Sequence, residues 1–363
     1  MTVLIACDKF KGSLSAEEVA LSIESGLGEG FQCELCPIAD GGEGFVAAML
    51  SAMGGELKSG LVRDALGREV EAKYGISGRV AFVEMADASG LWRIAEGERD
   101  VLTASTYGTG ELIREAVGQG AEKILLGVGG SATNDGGVGM AAALGWKFLD
   151  EEGQLLAAHP AALADLAMIE GEEVLELPEI EVACDVENPL LGERGATAIY
   201  GPQKGAGFEE RQYLEAYLEH LMAVSGGEKL AEIPGAGAAG GLAWGLMKFA
   251  GARLRPGFDI VSDAVNLRDK IAAVDLVITG EGSLDAQSLE GKGPMGVIRM
   301  AKEEGKLTAA LAGHISDEVK ESGLLDFSFA LSDTGYPLDY LIANAESLLK
   351  EVSGQLKAEL SVS

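Results

Sequence analysis

Short apolar runs alternate along this chain with longer stretches whose apolar residues recur every three to four positions. Residues 2–6 form an apolar run, and Val19, Ile23 and Leu27 follow on one helical face. Ser15 and Glu18 have the spacing of a capping box, which predicts that a helix begins there. The first segment is therefore predicted to be a buried strand, a polar loop and a helix.

The same order recurs downstream, which predicts an α/β fold with ligands at the carboxyl ends of parallel strands. Alternating residues at 70–76 and 80–85 predict an antiparallel insertion. Thr109 is the expected cap of a later helix, and one long amphipathic helix is expected from Pro337. Further strands are predicted at 34–38, 123–126, 146–149, 180–183, 274–279, 307–312 and 327–331.

Length and charge narrow the class of protein. A chain of 363 residues predicts two domains, and two lobes would leave a cleft between them. With 28 basic and 58 acidic residues the net charge is −30, which argues against nucleic acid or an anionic membrane surface as partner. No apolar run approaches a membrane span and no signal peptide is visible, so a cytoplasmic location is expected. The four cysteines make no disulfide framework.

The densest glycine loop, residues 127–139, follows one of the predicted strands. Glycine lets backbone N–H groups approach an anion, and a helix start adds partial positive charge, so this loop is predicted to bind phosphate. The predicted phosphate-binding residues are Gly129, Gly130, Ser131, Thr133, Asn134 and Gly136. A second glycine-rich stretch, with Gly237, Gly240 and Gly241, is equally compatible with anion binding and with close helix packing.

Acidic residues stand at the ends of five predicted strands: Asp8, Asp40, Asp135, Asp185, and the pair Glu281 and Asp285. Such carboxylates suit Mg²⁺ binding or proton abstraction from a hydroxyl, while glycine backbones and lysines neutralise phosphate. This combination indicates phosphoryl transfer. Each aspartate taken singly is also compatible with a helix cap or turn.

Other nucleotide and hydrolase motifs fit less well. Neither Gly291-Lys292 nor Gly305-Lys306 is followed by Ser or Thr, so no Walker A loop is present. Gly127, Gly129 and Ala132 match a dinucleotide fingerprint, with Asp150 at a suitable distance. The expected helix begins too late for that fingerprint, but an NAD(P)-dependent dehydrogenase stays as an alternative. A G-x-S-x-G elbow is absent.

Five motifs together resemble the type 1 glycerate kinases in order and spacing. They are the segments 8–16, 39–44, 127–137, 237–242 and 279–288. The resemblance covers residues 3 to about 313. Phe45 and Ala286 depart from the family pattern, where a small residue and glycine are usual.

The resemblance implies ATP-dependent phosphorylation of D-glycerate with Mg²⁺, most often at the 2-hydroxyl to give 2-phosphoglycerate. It also implies two Rossmann-like three-layer α/β/α lobes separated by a cleft. One lobe would be discontinuous, residues 1–65 plus 272–363, and the other would be the insert, residues 66–271. Activity of a 3-kinase on the same substrate and a sensor that binds without turnover are the remaining alternatives.

Roles within that scheme are hypotheses about named side chains. Catalysis is assigned to Asp185, Asp285 and Lys11, and Mg²⁺ to Asp185, Glu281 and Asp285. The two glycine stretches are assigned to ATP. Substrate binding is assigned to Asp8, Lys9, Lys11, Ser13, Asp40 and Lys292. The expected partners are D-glycerate and ATP, and a homo-oligomer is left open.

Overall fold

The structure is a computed structural model that describes residues 1–38, 42, 44–286, 288–290 and 293–361. Its strands are β1 Thr2–Ile5, β2 Gln32–Leu35, β3 Glu56–Arg63, β4 Glu69–Ser77, β5 Val80–Glu84, β6 Lys123–Gly127, β7 Lys147–Leu149, β8 Met168–Glu170, β9 Glu179–Ala183, β10 Arg253–Arg255, β11 Leu276–Thr279, β12 Ser283–Leu284, β13 Leu307–Ala312, β14 His314–Ile315 and β15 Phe327–Ala330.

The helices follow the same chain order. They are α1 Ala16–Leu27, α2 Phe45–Met53, α3 Ala86–Ser89, α4 Tyr107–Gly118, α5 Val138–Ala143, α6 Ala196–Tyr200, α7 Phe208–Ser225, α8 Glu228–Ala231, α9 Leu242–Ala250, α10 Gly257–Ala264, α11 Leu267–Ala272, α12 Pro294–Glu303, α13 Asp317–Lys320, α14 Leu338–Ala343 and α15 Ala345–Leu360. Among the residues that the structure describes, no helix is long and apolar enough to cross a membrane.

The chain divides into two compact units. Unit 1 contains residues 1–40, 47–54 and 258–363, and unit 2 contains residues 41–46 and 55–257. These boundaries differ from the division predicted at residues 65 and 271. At the first of them, all of β3 pairs with β4 inside the sheet of unit 2. The assignment of 1–65 plus 272–363 and 66–271 to separately folding domains stays a prediction.

Unit 1 is built on a parallel sheet with the strand order β15-β13-β11-β1-β2. Parallel strands covered by helices on both faces are apolar along their length, as residues 3–7 are here. Val19 and Ile23 of α1 and Leu349 of α15 join Val3 and Ile278 in one core cluster. Met295 and Ile298 of α12 belong to a second cluster with Ala310 of β13.

The helix start predicted at Ser15 is confirmed. The Ser15 hydroxyl accepts from the Glu18 N–H at 3.2 Å, and the Glu18 carboxylate accepts from the Ser15 N–H at 2.8 Å. These two bonds satisfy donors that an open helix end leaves unpaired. They set the residue at which the loop after β1 ends.

Unit 2 has a mixed sheet with the order β10-β9-β6-β5-β4-β3. Strands β3, β4 and β5 pair antiparallel, which confirms the predicted antiparallel insertion, and β5, β6, β9 and β10 are parallel. The protein is therefore of the mixed α/β class with sheets rich in parallel strands, as predicted.

Two helix predictions were wrong in detail. The helix assigned to a Thr109 cap is α4, which begins at Tyr107 with Thr106 as its N-cap. The long helix expected from Pro337 is two helices, α14 and α15, separated at Asn344, whose φ of −118° and ψ of 17° are not helical. An apolar periodicity that continues across the break conceals such an interruption.

Candidate active site

The loop after β1 carries several of the predicted substrate residues. Asp8 is 7% exposed, and its carboxylate accepts from the Lys9 N–H at 2.6 Å. Phe10 and Leu14 form an isolated antiparallel bridge, and Gly12 at the tip has a φ of 77°, a conformation that glycine adopts without strain. Lys9 is half-buried and Lys11 is exposed. The loop is therefore a short, closed turn that holds Asp8 and the two lysines near one another.

The loop after β11 lies beside it, because β1 and β11 are neighbouring parallel strands. Asp8 donates its N–H to the Gly280 carbonyl at 2.8 Å. In this second loop the Ser288 hydroxyl donates to Glu281 at 3.2 Å, and the Asp285 carboxylate accepts from the Ser288 N–H at 3.2 Å. Glu281 and Asp285, the predicted metal carboxylates of unit 1, are thus linked through one serine.

A pocket of about 850 Å³, which we call the Asp8 pocket, opens where these loops meet. Its polar end includes Asp8, Lys9, Lys11, Ser13 and Glu281, and its apolar wall includes Leu331, Tyr336, Leu338, Leu341 and Ile342. Asp285 does not line the pocket. The structure therefore brings together most of the predicted substrate residues of unit 1 with one predicted metal ligand.

Sequence reasoning missed His314 and Ser332, which also line the Asp8 pocket. The His314 Nδ1 and the Ser332 hydroxyl are 3.2 Å apart. Both residues follow the ends of predicted strands, at 307–312 and 327–331. Extending the strand-end rule from acidic residues to all polar residues would have found them.

The described carboxylates offer only a small donor set for a metal ion. Within 1–38, 42, 44–286, 288–290 and 293–361, no group of three or more His, Cys, Asp or Glu side chains is arranged to hold a metal ion. Mg²⁺ bound to a nucleotide uses one or two protein carboxylates and completes its shell with phosphate oxygens and water. Glu281 and Asp285, which share Ser288, fit that smaller donor set.

Asp185, the remaining predicted metal ligand and base, belongs to unit 2. It follows β9 and is half-buried, and its Oδ1 accepts from the Gly257 N–H at 3.1 Å. Gly257 is the first residue of α10, so the carboxylate lies at a helix start, where negative charge is favoured. This contact accounts for the position of Asp185 without assigning it a role in the reaction.

The first glycine loop is open only at its beginning. Gly129 is half-buried and Gly130 exposed, whereas Ser131 is 6% exposed and Thr133 and Asn134 are 0% exposed. Gly130 has a φ of 72°, and its carbonyl accepts from the Leu91 N–H at 2.8 Å. In this structure a ligand can reach Gly129 and Gly130, while Ser131, Thr133, Asn134 and Gly136 are covered.

The buried part of this loop is organised by Asp135. One carboxylate oxygen accepts from the N–H and hydroxyl of Thr106, each at 2.8 Å, and the other accepts from the Gly137 N–H at 3.0 Å. Burial raises the pKa of the Asp135 carboxyl, and the hydrogen bonds act in the opposite direction. Asp135 therefore joins the starts of α4 and α5 and is removed from the set of carboxylates that a ligand can reach.

Lys204 is a second buried charge that sequence reasoning missed. It is 1% exposed, and its Nζ donates to the Thr133 carbonyl at 2.7 Å. Burial lowers the pKa of this ammonium to about 7, against the opposing charge of Asp135. The sequence did contain a signal that could have identified it: Lys204 lies in a loop between Gly201 and Gly205, in a chain with few basic residues. Lys204 therefore stabilises the backbone of the glycine loop on its buried side.

Two polar atoms in the same loop lack a hydrogen bond. The Asn134 Nδ2 donates to the Thr197 hydroxyl at 3.0 Å, but the Asn134 Oδ1 and the Thr133 hydroxyl are buried with no partner among the neighbours that the structure describes. Such groups cost about 1–3 kcal/mol each and are uncommon in folded proteins. The missing hydrogen bonds of these two atoms therefore lower the stability of the loop.

The second glycine stretch packs against the first. Cβ atoms added at Gly240 and Gly241 would lie 2.0 Å from the Thr133 carbonyl oxygen and 2.8 Å from a Leu190 methyl carbon. A Cβ at Gly237 would lie 2.2 Å from the Pro189 carbonyl oxygen. All three glycines are buried. Of the two interpretations that the sequence left open, close packing accounts for these glycines in this structure, and their assignment to ATP stays a prediction.

The structure does not describe two of the predicted substrate-binding residues. Asp40 and Lys292 lie outside the described residues. Of the two departures from the family pattern, Phe45 is buried at the start of α2 and Ala286 is exposed.

Comparisons with known proteins give one consistent result. The model of the glycerate kinase family matches residues 3–361. A glycerate kinase of Halalkalibacterium halodurans is 42% identical over 97% of this chain and 96% of its own length. The glycerate 2-kinase of Escherichia coli K12 is 45% identical over 88% of this chain and 87% of its own length.

A solved structure agrees with the relatives. The crystal structure of a candidate glycerate kinase 2 from Salmonella typhimurium LT2 superposes with a TM-score of 0.89 at 41% identity, covering 100% of this chain and 98% of that one. The family match and the structural match both extend over nearly the whole chain. They favour a glycerate kinase over the NAD(P)-dependent dehydrogenase that the dinucleotide fingerprint suggested. The chain belongs to the glycerate kinase family.

Proposed function

We propose that this protein transfers the γ-phosphoryl group of Mg-ATP to a hydroxyl of D-glycerate, giving 2-phosphoglycerate. The observation that carries the proposal is the Asp8 pocket, in which lysines and carboxylates from two adjacent strand ends share one cavity in a chain matched from residue 3 to residue 361 by the glycerate kinase family. D-glycerate needs a cation for its carboxylate and a carboxylate near its reacting hydroxyl, and the pocket contains both.

The lysines of the loop after β1 would neutralise anionic groups. Lys9 and Lys11 line the pocket beside Asp8 and Ser13, and in a chain with a net charge of −30 such a local pair of cations is the feature that can hold an anion. We assign Lys11 to the carboxylate of the substrate or to a transferred phosphate oxygen. Asp8 and Ser13 would orient the substrate hydroxyls.

Carboxylates would position the attacking hydroxyl and accept its proton. In phosphoryl transfer most of the catalysis comes from positioning and from neutralisation of charge. Asp185 and Asp285 are the proposed candidates for the proton acceptor. Glu281 and Asp285 would hold Mg²⁺, which when bound supplies positive charge to the phosphate oxygens of ATP.

The backbone at Gly129 and Gly130 is the proposed contact for ATP phosphates in unit 2. Gly129 is half-buried and Gly130 is exposed, and a glycine backbone lets a phosphate approach closely. Ser131, Thr133, Asn134 and Gly136 would support this contact from the buried side. A Gly130→Val variant that still binds Mg-ATP with wild-type affinity in isothermal titration would contradict the assignment.

The activity is tested with purified protein, D-glycerate, Mg²⁺ and ATP. ADP should be released in a glycerate-dependent manner, and omission of Mg²⁺ should abolish the reaction. Phosphorus NMR of the product distinguishes the two hydroxyls, because a phosphate on the 2-oxygen couples to one proton and a phosphate on the 3-oxygen couples to two. Binding of glycerate without ADP release would favour the sensor instead.

Lys11→Ala tests the cation assignment. We expect kcat/KM for D-glycerate to fall at least about tenfold with the fold intact, because a charge contact to the substrate or phosphate is lost. Lys229→Ala, at an exposed lysine of α8 in unit 2, is the matched control and should leave kcat/KM unchanged. Wild-type kinetics in Lys11→Ala would remove Lys11 from the site.

Asp185→Asn and Asp285→Asn test the carboxylate scheme. Loss of a proton acceptor is expected to lower kcat by about 10²–10⁴, while loss of a metal ligand alone should be partly rescued by raised Mg²⁺. If both variants keep wild-type turnover, neither residue acts in the reaction.

A further inference from the structure

We infer that the Asp8 pocket binds the nucleoside of ATP, with the adenine base against its apolar wall of Leu331, Tyr336, Leu338, Leu341 and Ile342. The inference rests on the proposed function for the identity of the nucleotide. It goes beyond that function because it assigns a site to the base of the nucleotide, which the proposed function leaves unassigned.

The apolar wall is too large for D-glycerate. The side chains of Leu338, Ile342 and Tyr336 are 68%, 41% and 50% exposed, and all three line the pocket. Clustered apolar groups left in water are typical of surfaces that receive a ligand. D-glycerate is a three-carbon acid with a polar group on every carbon, so it buries no apolar surface there. The purine is the apolar part of the other reactant.

The wall is held in place by contacts outside the pocket. The Tyr336 ring lies against the Tyr340 ring with centroids 4.5 Å apart. Leu341 is 8% exposed and Leu331 is 1% exposed, and both belong to the core of unit 1. A wall that is already ordered lowers the entropic cost of binding a flat base.

The two ends of the pocket are joined directly. The Ser13 hydroxyl donates to the Ile342 carbonyl at 2.7 Å, which connects the loop carrying Lys9 and Lys11 to α14, the helix that carries Leu338, Leu341 and Ile342 of the wall. A ligand with a base at one end and phosphates at the other matches this order of apolar and cationic groups. His314 and Ser332, whose polar atoms are 3.2 Å apart, supply donors and acceptors for sugar hydroxyls.

The test uses isothermal titration of the full chain with ADP and, separately, with inorganic tripolyphosphate. The variant is Leu338→Gln/Ile342→Gln. Its matched control is Leu61→Gln/Ile199→Gln, at apolar residues of unit 2 that are 69% and 48% exposed and do not line the pocket. Circular dichroism and thermal unfolding check that both variants are folded.

We expect Kd for ADP to rise at least about tenfold in Leu338→Gln/Ile342→Gln, because polar atoms replace the apolar contact with the base. Kd for tripolyphosphate should stay within about twofold of wild type, since only the base loses its contact. The control should change neither value. KM for D-glycerate should be unchanged as well.

Three results would overturn the inference. One is a wild-type Kd for ADP in the variant, including the case in which the substitutions instead dissociate a dimer through the same apolar surface. Another is an equal loss of tripolyphosphate binding. The third is a selective rise of KM for D-glycerate, which would place the acid on the wall. Absence of glycerate-dependent ADP release in the wild type would refute the proposed function, while the ADP titration would still decide the nucleoside site.

Discussion

Gly240→Ala measures how closely the two glycine stretches approach each other. Gly240 has a φ of 66°, and an added Cβ would lie 2.0 Å from the Thr133 carbonyl oxygen and 2.6 Å from the Asn134 Cα. The Gly240 carbonyl also accepts from the Gly136 N–H at 3.0 Å. The new methyl group therefore meets backbone atoms, which cannot rotate away, and the two stretches must separate.

The expected loss of stability has two parts. A non-glycine residue in the left-handed region costs about 1–2 kcal/mol, and forcing a methyl group into a packed contact costs about 1–3 kcal/mol. Gly226→Ala is the matched control, because Gly226 has a φ of 67° and its added Cβ meets no heavy atom within 4 Å in the part of the chain that the structure describes. The control should show only the first cost, so the two variants should differ by about 1–3 kcal/mol.

Tryptophan fluorescence during urea unfolding is the appropriate assay. The chain has three tryptophans, at 92, 146 and 244, and all of them belong to unit 2. Their signal therefore reports the unit that contains both glycine stretches, even if the units unfold in separate steps. Equal losses of unfolding free energy in Gly240→Ala and Gly226→Ala would refute the packing explanation and favour anion binding as the reason for Gly240.

The remaining predictions concern charges and caps. Because burial lowers the pKa of Lys204 to about 7, the unfolded state binds the proton more readily and wild-type stability should rise from pH 7 towards about 10. Lys204→Met should lose this rise, and parallel pH profiles in urea unfolding would contradict it. Asp135→Asn should destabilise unit 2 by about 3–5 kcal/mol because an amide cannot accept every bond that the buried carboxylate accepts, whereas Asp150→Asn, in an exposed turn, should cost under about 1 kcal/mol. Ser15→Ala should weaken the start of α1 by about 1 kcal/mol, seen as faster amide exchange in its first turn, and unchanged exchange would argue against the cap.

Local patterns predicted local structure well. The Ser15 and Glu18 pair is a capping box in the structure because its bonds join residues three positions apart. The alternation at 70–76 and 80–85 became antiparallel strands for a similar reason, since the side-chain period of two depends on neighbouring residues. Where a break depended on backbone angles at one residue, as at Asn344, the apolar period gave no warning.

In the candidate site, too, the sequence identified what depends on local position and missed what depends on contacts between distant residues. The strand-end rule named both Asp8 and Glu281 as candidates, and the two line one pocket because adjacent parallel strands bring their carboxyl ends to one edge. The apolar wall of the pocket was missed, since residues more than three hundred positions apart meet there, as the bond between Ser13 and Ile342 shows. No spacing in a single sequence reports such a contact.

The glycine loop shows most clearly what the sequence determined and what only the tertiary structure decided. Composition and order were enough to predict an α/β protein with phosphate chemistry, because strand and helix periods, turn residues and charge are properties of neighbouring positions. Which residues a ligand can reach depended on burial, and burial depends on what packs against each position from elsewhere in the chain. In the sequence Asp135 is one of several strand-end carboxylates, and the structure surrounds it with Thr106 and Gly137. In the sequence Gly240 is equally compatible with a phosphate contact and with packing, and the structure brings the Thr133 carbonyl close to it.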